Sequence, residues 1–316
     1  MNLLASLRYL VALSEHRHFA RAAQACHITQ PALSNALRAL EREFGTPIVK
    51  RARSYAGLTA EGERVLATAQ RMLREHELLR QELHGDAENP KGPLRLGVVP
   101  TAVPIAARFA AMLQAQCPGI APVVRSMTSQ DIESGLDDFS LDLGLGFVER
   151  LGRRGGHFAA LPQYGEHYFL VRRAENADAP LRLGRPLSWK GAAALPLCLL
   201  TRDMHNRSIV DSAFAQAGVA VHPAMETNSI LTLALSVVAG EVCSVLPGSL
   251  VAATRGQPGL QAQPLIRPAL VTPVGFITLA KAAPSRVLQA ALAFAADKRW
   301  LKQLAEHSGP LASFKS

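Results

Sequence analysis

The stretch FARAAQACHITQPALSNALRALEREFG, from Phe19 to Gly45, constrains this chain more tightly than any other. Phe19, Ala22, Ala23 and Cys26 share one helical face, and the small side chains among them let a second helix approach closely. His27-Ile28-Thr29 then interrupts. Thr29 is placed as an N-cap, and Pro31 falls in the first turn of the next helix, where its missing N–H costs little. Leu33, Ala36, Leu37 and Leu40 mark the inward face of that helix, and an earlier stripe of Leu3, Leu7, Leu10 and Val11 supplies a first helix. Helix, three-residue turn, helix is the helix-turn-helix plan.

The outer side of the last helix carries Gln30, Pro31, Ser34, Asn35 and Arg38. Gln and Asn pair bidentately with adenine, Arg with guanine or phosphate, and Ser with either base or phosphate. These five are the expected base contacts on double-stranded DNA. After Gly45, TPIVKRARSYAGLT reads as a short strand, a basic turn and a return. Arg21, Thr29, Lys50, Arg51 and Arg53 are the expected backbone contacts, which add affinity and register but no sequence information. Charge agrees. The chain carries a formal +9, of which +5 lies in the first 60 residues, as in a polyanion-binding module joined to a more neutral body.

HFARAAQACHITQPALSNALRALEREFGTPIVKRARSYAGLTAEGERVL resembles the N-terminal winged helix-turn-helix of the LysR-type transcriptional regulators. The likeness lies in Ala-Ala, a short turn, Thr-Gln-Pro-Ala-Leu-Ser, Leu-Glu, Gly, Arg and Leu-Thr, in order and spacing. Asn35 stands where that family often has Arg or Gln, and Ile48-Val49 replaces its usual Leu-Phe. From Thr59 to His84, Val65, Ala69, Met72, His76, Leu79 and Leu83 recur at alternating intervals of four and three, the seam of a two-stranded coiled coil. The resemblance makes this the linker helix through which such regulators pair, so a homo-oligomer is expected. The resemblance also implies a dimer of dimers, with RNA polymerase as a further partner.

Beyond Pro93 the texture becomes strand–helix–strand, which implies a largely parallel, helix-covered sheet. The length favours two α/β lobes with a cleft between them, as in periplasmic binding proteins and LysR-type effector domains, and AGEVCSVLP resembles a segment of the latter. The expected organisation is a winged helix-turn-helix over 1–58, a linker helix over 59–84, a hinge over 85–93 and an effector-binding domain over 94–316. Its first lobe takes about 94–162 and 268–316, and its second about 163–267. Function in such sheets collects at the carboxyl ends of strands. The effector-binding candidates are therefore Thr101, Ala102, Thr128, Ser129, Thr201, Arg202, His205, Thr227 and Asn228, with Arg207 as a further source of charge. Hydroxyls and helix N–H groups suit a small carboxylate or oxyanion. Each hydroxyl is also a candidate cap of its own helix.

No nucleophile elbow, phosphate loop, zinc-protease motif or dinucleotide fingerprint occurs, so no catalytic residue, metal or cofactor is expected. Cys26, Cys117, Cys198 and Cys243 lie far apart, as free thiols of a cytoplasmic protein would. No apolar run reaches the ~20 residues of a membrane span, and the N-terminus reads as an amphipathic helix rather than a leader. The sequence thus predicts a DNA-binding regulator modulated by a small molecule between two lobes. Two competitors remain at this point: a solute-binding protein whose N-terminal helices hold a protein partner, and a nucleoid-type binder without effector.

Overall fold

The computed structural model describes residues 2–51, 55–84, 89–154, 156–281 and 283–311. The chain divides into two compact units, one formed by Met1–Asp86 with Asp137–Ser140 and the other by Ala87–Leu136 with Leu141–Ser316.

The first unit contains α1 (Leu3–His16), α2 (Phe19–Ala25), α3 (Gln30–Phe44), the antiparallel strands β1 (Val49–Arg51) and β2 (Tyr55–Leu58), and α4 (Ala60–His84). The predicted apolar stripes form its core: Leu7, Leu10, Ala22, Ala23, Leu33, Leu37 and Leu40 are all buried. Thr29 caps α3 as its position predicts, accepting the Ala32 N–H at 3.4 Å, and Gly45 ends the helix at φ 65°. Glu41 fixes the wing to that helix, because its Oε1 accepts both the Ile48 and Val49 N–H groups at 3.1 Å. Gly62 lets α4 pass the wing. A Cβ there would lie 2.1 Å from the Ile48 carbonyl oxygen.

The expected coiled-coil seam divides between two tasks. Val65 and Ala69 pack into the core of this unit itself, while Met72 and Leu79 remain exposed at 42% and 52%. The Leu83 side chain lies outside the described residues.

The second unit begins with β3 (Gly92–Val98), a 3-10 turn Pro100–Ala102, α5 (Val103–Gln116), β4 (Ile120–Ser126), α6 (Ser129–Asp137) and β5 (Leu143–Phe147). After a further 3-10 segment, Val148–Arg154, come β6 (Phe158–Arg173), β7 (Arg182–Leu183), β8 (Leu187–Ser188), α7 (Trp189–Ala193), β9 (Leu197–Leu200) and α8 (His205–Gln216). The chain continues with β10 (Met225–Thr227), α9 (Ile230–Ala239), β11 (Cys243–Pro247), α10 (Gly248–Ala253), β12 (Leu260–Ile266), β13 (Val271–Leu279), α11 (Arg286–Ala295) and α12 (Lys298–His307).

Parallel pairing holds within β4-β3-β5 and within β10-β9-β11. The sheet as a whole is mixed, not largely parallel, because β6 and β13 enter antiparallel between those two sets. β6 joins the lobes: it pairs with β13 from Phe158 to His167 and with β11 from Tyr168 to Val171.

Around β6, β9 and β11 the strands are buried on both faces, which explains their unbroken apolar runs. Phe169, Val171, Cys198 and Leu200 enter one core, and Tyr168, Leu170, Leu197, Leu199 and Cys243 the other. The stretch VAVHPAME contributes only Met225–Thr227 to the sheet, since Pro223 has no N–H for a ladder. The C-terminal helical stretch is broken into α11 and α12 where Asp297 caps α12 by accepting the Arg299 N–H at 2.7 Å.

Candidate functional site

On the first unit, Gln30, Pro31, Asn35 and Arg38 are exposed along α3 and Ser34 is half-exposed, with Arg21, Thr29 and Lys50 exposed around them. The buried stripe Leu33, Leu37 and Leu40 turns this polar set outward. Arg53 and the Arg51 side chain lie outside the described residues. Along the later half of α3, Asn35, Arg38, Glu41 and Arg42 line an open groove of about 740 Å³ closed by Gly45, Thr46 and Pro47. Arg42 was not among the predicted contacts. Its spacing of four residues from Arg38 places both cations on one face, a signal present in the sequence.

In the second unit the ends of β3, β4 and β5 meet the start of α8 around one small cavity. It is lined by Val99, Pro100, Thr101, Thr128, Ser129 and Phe147 from one lobe and by Leu200, Met204, His205 and Asn206 from the other. About 10 Å³ is open to the centre of a water-sized sphere, room for about one water in this arrangement.

Four predicted effector residues line it: Thr101, Thr128, Ser129 and His205. Their states differ. The Ser129 hydroxyl is buried without a hydrogen-bond partner among the described residues, and the Thr201 hydroxyl is in the same condition outside the lining set. A buried hydroxyl left so costs about 1–3 kcal/mol and is open to a ligand. Thr128, by contrast, is occupied by its own helix: its Oγ1 donates to Asp131 Oδ2 at 2.7 Å and accepts the Asp131 N–H at 3.1 Å.

The other candidates do not line the cavity. Thr227 accepts the Ser229 N–H at 3.1 Å, a local turn bond. Ala102 is buried in the first lobe's core, while Arg202 and Asn228 are exposed. Arg207 is buried too, but its guanidinium donates to Asp211, Glu226 and the Leu200 carbonyl, so it holds α8 to the strands and offers no charge to a ligand.

His205 spans the lobes. Its Nε2–H donates to Glu149 Oε1 at 3.1 Å, and its Nδ1 accepts from Arg150 Nη1 at 3.2 Å, a tautomer assigned by these partners. Arg150 is held in turn by Glu133 at 3.2 Å, and Phe147 packs edge-on to the imidazole with centroids 5.1 Å apart. Phe147, Met204, Asn206, Glu149 and Arg150 escaped the sequence reading because only tertiary packing brings them together. Two helix N-termini, of α6 and α8, reach the cavity from opposite lobes, and their N–H groups and dipoles favour negative charge.

No cysteine lines the cavity. Cys198 and Cys243 are buried on neighbouring strands, but Cys198 lies opposite Ser244 and Cys243 opposite Leu197, so their thiols enter different cores. Burial pushes the Cys243 thiol up, and burial with the Glu15 charge does the same for Cys26.

Comparison with known proteins bears on both regions. The pattern described as LysR substrate binding domain matches residues 87–300, and that described as bacterial regulatory helix-turn-helix protein, lysR family, matches residues 4–63. The DNA-binding transcriptional dual regulator OxyR of Escherichia coli K12 is 28% identical over 282 residues, 86% of this chain and 87% of its own. A Streptomyces viridosporus protein named "Probable hydrogen peroxide-inducible genes activator" is 33% identical over 238 residues, 75% of this chain and 74% of its own. In fold, full-length OxyR from Pseudomonas aeruginosa, in a cysteine-to-aspartate variant, superposes with a TM-score of 0.72 at 22% identity, covering 97% of each chain. The relatives are transcriptional regulators, and this chain, with its reading head and its two-lobed substrate-binding domain, belongs to the LysR family of bacterial transcriptional regulators.

Proposed function

We propose that this regulator binds operator DNA through Gln30, Pro31, Ser34, Asn35 and Arg38. Arg21, Thr29, Lys50, Arg51 and Arg53 then hold the DNA backbone. Its output is set by a very small anionic or hydrogen-bond-accepting effector, a short carboxylate or an inorganic oxyanion, held between the lobes. The domain limits are those read from the sequence: head 1–58, linker 59–84, hinge 85–93 and effector domain 94–316. The chain works in the cytoplasm as a dimer of dimers, the exposed Met72 and Leu79 on α4 supplying apolar surface for a second copy, and it acts on RNA polymerase at promoters.

One observation carries the effector reading. The unpartnered Ser129 hydroxyl lies at the start of α6 in a cavity that a second helix N-terminus faces from the other lobe. The cavity's present size points to a ligand of few atoms or to lobes that open further for a larger one.

The test is thermal unfolding of the full-length protein against short carboxylates, inorganic oxyanions and hydrogen peroxide. A ligand at about 100 times its dissociation constant stabilises by about 2.7 kcal/mol. Ser129→Ala is expected to abolish that shift. A shift that survives Ser129→Ala places the ligand elsewhere.

Thiol oxidation is the competing input, suggested by the names of the peroxide-responsive relatives. It asks for an accessible thiolate, whereas Cys198 and Cys243 are buried and Cys26 has its ionisation opposed, which leaves the half-exposed Cys117 as its candidate. DNA binding that responds to peroxide in the native protein, and no longer in a cysteine-free one, would replace the ligand reading.

A further inference from the structure

Glu166 sits in the middle of β6, where the strand passes from one lobe to the other, and it is buried to 2% exposure. Three backbone N–H groups, of Gly248, Ser249 and Gly309, donate to its carboxyl group, the Ser249 N–H reaching Oε1 at 3.2 Å. Gly248 makes this possible, since a Cβ there would lie 2.3 Å from the Gly309 carbonyl oxygen and 3.2 Å from Oε1. The other carboxyl oxygen, Oε2, lies 2.6 Å from the Ser249 hydroxyl. That same hydroxyl lies 3.0 Å from the backbone carbonyl of Thr101, which belongs to the wall of the effector cavity.

A hydroxyl has one hydrogen to donate. With an ionised Glu166, Ser249 must divide it between two acceptors. With a neutral Glu166, the three bonds around Ser249 are made at once: Oε1 accepts the Ser249 N–H, Oε2–H donates to Ser249 Oγ, and Ser249 donates to the Thr101 carbonyl. The observed distances therefore fit the neutral acid, and a proton gained or lost at Glu166 changes what holds Thr101.

Beside Glu166 on β6, His167 is held toward its neutral form by partial burial, and the α12 cations Lys298, Arg299 and Lys302 are exposed. Glu166 has no ion-pair partner among the described residues. The phenols of Tyr164 and Tyr168 on its own strand are held neutral by burial, and the buried Tyr164 hydroxyl lies beside Ser249 and Glu166 without an aligned bond to either. Opposite it β13 presents Thr272, and β13, β12, α9 and α10 carry no titratable side chain. β11 carries only the Cys243 thiol. On α12, His307 is turned to the Gln303 carbonyl at 2.8 Å, and Glu149 and Arg150 of the preceding 3-10 segment are engaged by His205. Burial, the largest influence, lifts the Glu166 carboxyl from 4.5 to about 7 against its amide donors.

We propose that Glu166 is a proton-linked joint between the lobes: when it gains a proton it frees the Ser249 hydroxyl for the Thr101 carbonyl, ties α10 to the effector cavity wall, and makes the cleft respond to pH. The joint itself stands on this network. Its consequence for effector binding rests on the cavity reading given above, so the test is made without any effector.

Amide hydrogen exchange of the full-length protein, corrected for intrinsic rates, is compared from about pH 5 to about pH 9 in segments around Thr101 and Ser249. The native protein is expected to lose about tenfold protection as pH rises. Glu166→Gln, which keeps both the acceptor and the donor of a neutral acid, is expected to stay protected throughout, and Ser249→Ala to stay unprotected. Equal pH responses in the native protein and Glu166→Gln overturn the proposal. Infrared difference spectra of the native protein read the joint without any variant. A carboxylic-acid carbonyl band that fades as pH rises supports it, and the absence of any such band overturns it. Failure of the effector panel leaves both measurements standing.

Discussion

His205 joins the two lobes across the cavity, its Nδ1 lying 3.2 Å from a guanidinium nitrogen of Arg150 and its Nε2 3.1 Å from Glu149 Oε1. The pair with Glu149 is partly exposed, at 22% and 38%, which limits its share of stability. His205→Leu is expected to lower unfolding stability by no more than about 1 kcal/mol in urea titrations. The same variant should clearly speed amide exchange around residues 146–150 and 203–207. A large stability loss with unchanged local exchange would mean that His205 serves the fold and not the cleft.

Ser129 and Thr128 are neighbours with opposite expected responses. Ser129 contributes an orphaned hydroxyl, so Ser129→Ala is expected to be neutral or to raise the unfolding free energy by up to about 1 kcal/mol. Thr128 caps α6, so Thr128→Val is expected to cost about 1 kcal/mol. Ligand binding should fall most in Ser129→Ala, the more stable variant. Thermal midpoints of the two proteins with and without ligand separate these effects, and the reverse order would reassign the roles.

What could be read from the sequence follows what is local. The reading head rests on periodic residues and caps a few positions apart, so Thr29, Leu33, Leu37 and Leu40 announce it. Half of the cavity is equally local, because Thr101, Thr128 and Ser129 follow strand ends. Whether a hydroxyl there binds a ligand or its own helix depends on geometry. Thr128 and Thr227 turned to their own backbone, while Ser129 and Thr201 found nothing. Arg207 looked like a ligand charge until Asp211 and Glu226 were seen to take it. Glu166 gave no signal at all: its partner Ser249 lies 83 residues later, and a lone acid in a strand is most simply read as facing water.

Glu166 also sets a pH dependence of stability. Its carboxyl group titrates near 4.5 when unfolded and at about 7 when folded. A folded value above the unfolded one means that the stability is fully present below about pH 4.5 and is lost as pH rises through 7. The span corresponds to about 3 kcal/mol. Glu166→Gln has no such group, so its stability relative to the native protein is expected to climb by about that amount between about pH 4.5 and pH 8. Paired urea titrations across that range measure it, and other acids cancel in the difference. A flat difference would mean that Glu166 titrates in the folded protein as it does in the unfolded chain.

The head makes a separate claim about DNA. Gln30 and Asn35 are exposed on the leading face of α3 and are the amide side chains there able to read adenine edges. Gln30→Ala or Asn35→Ala is expected to cost about 1–3 kcal/mol on the preferred site and to relax the choice at one base pair. Lys50 sits on the wing and is proposed above to hold the DNA backbone. Lys50→Ala is expected to weaken all sequences alike and to lower the salt slope of binding by about 1. The operator is first selected from random duplexes, and fluorescence anisotropy is then run on single-base variants at two or more salt concentrations. If Gln30→Ala keeps its full preference while Lys50→Ala changes it, sequence is read from the wing and α3 only positions the head.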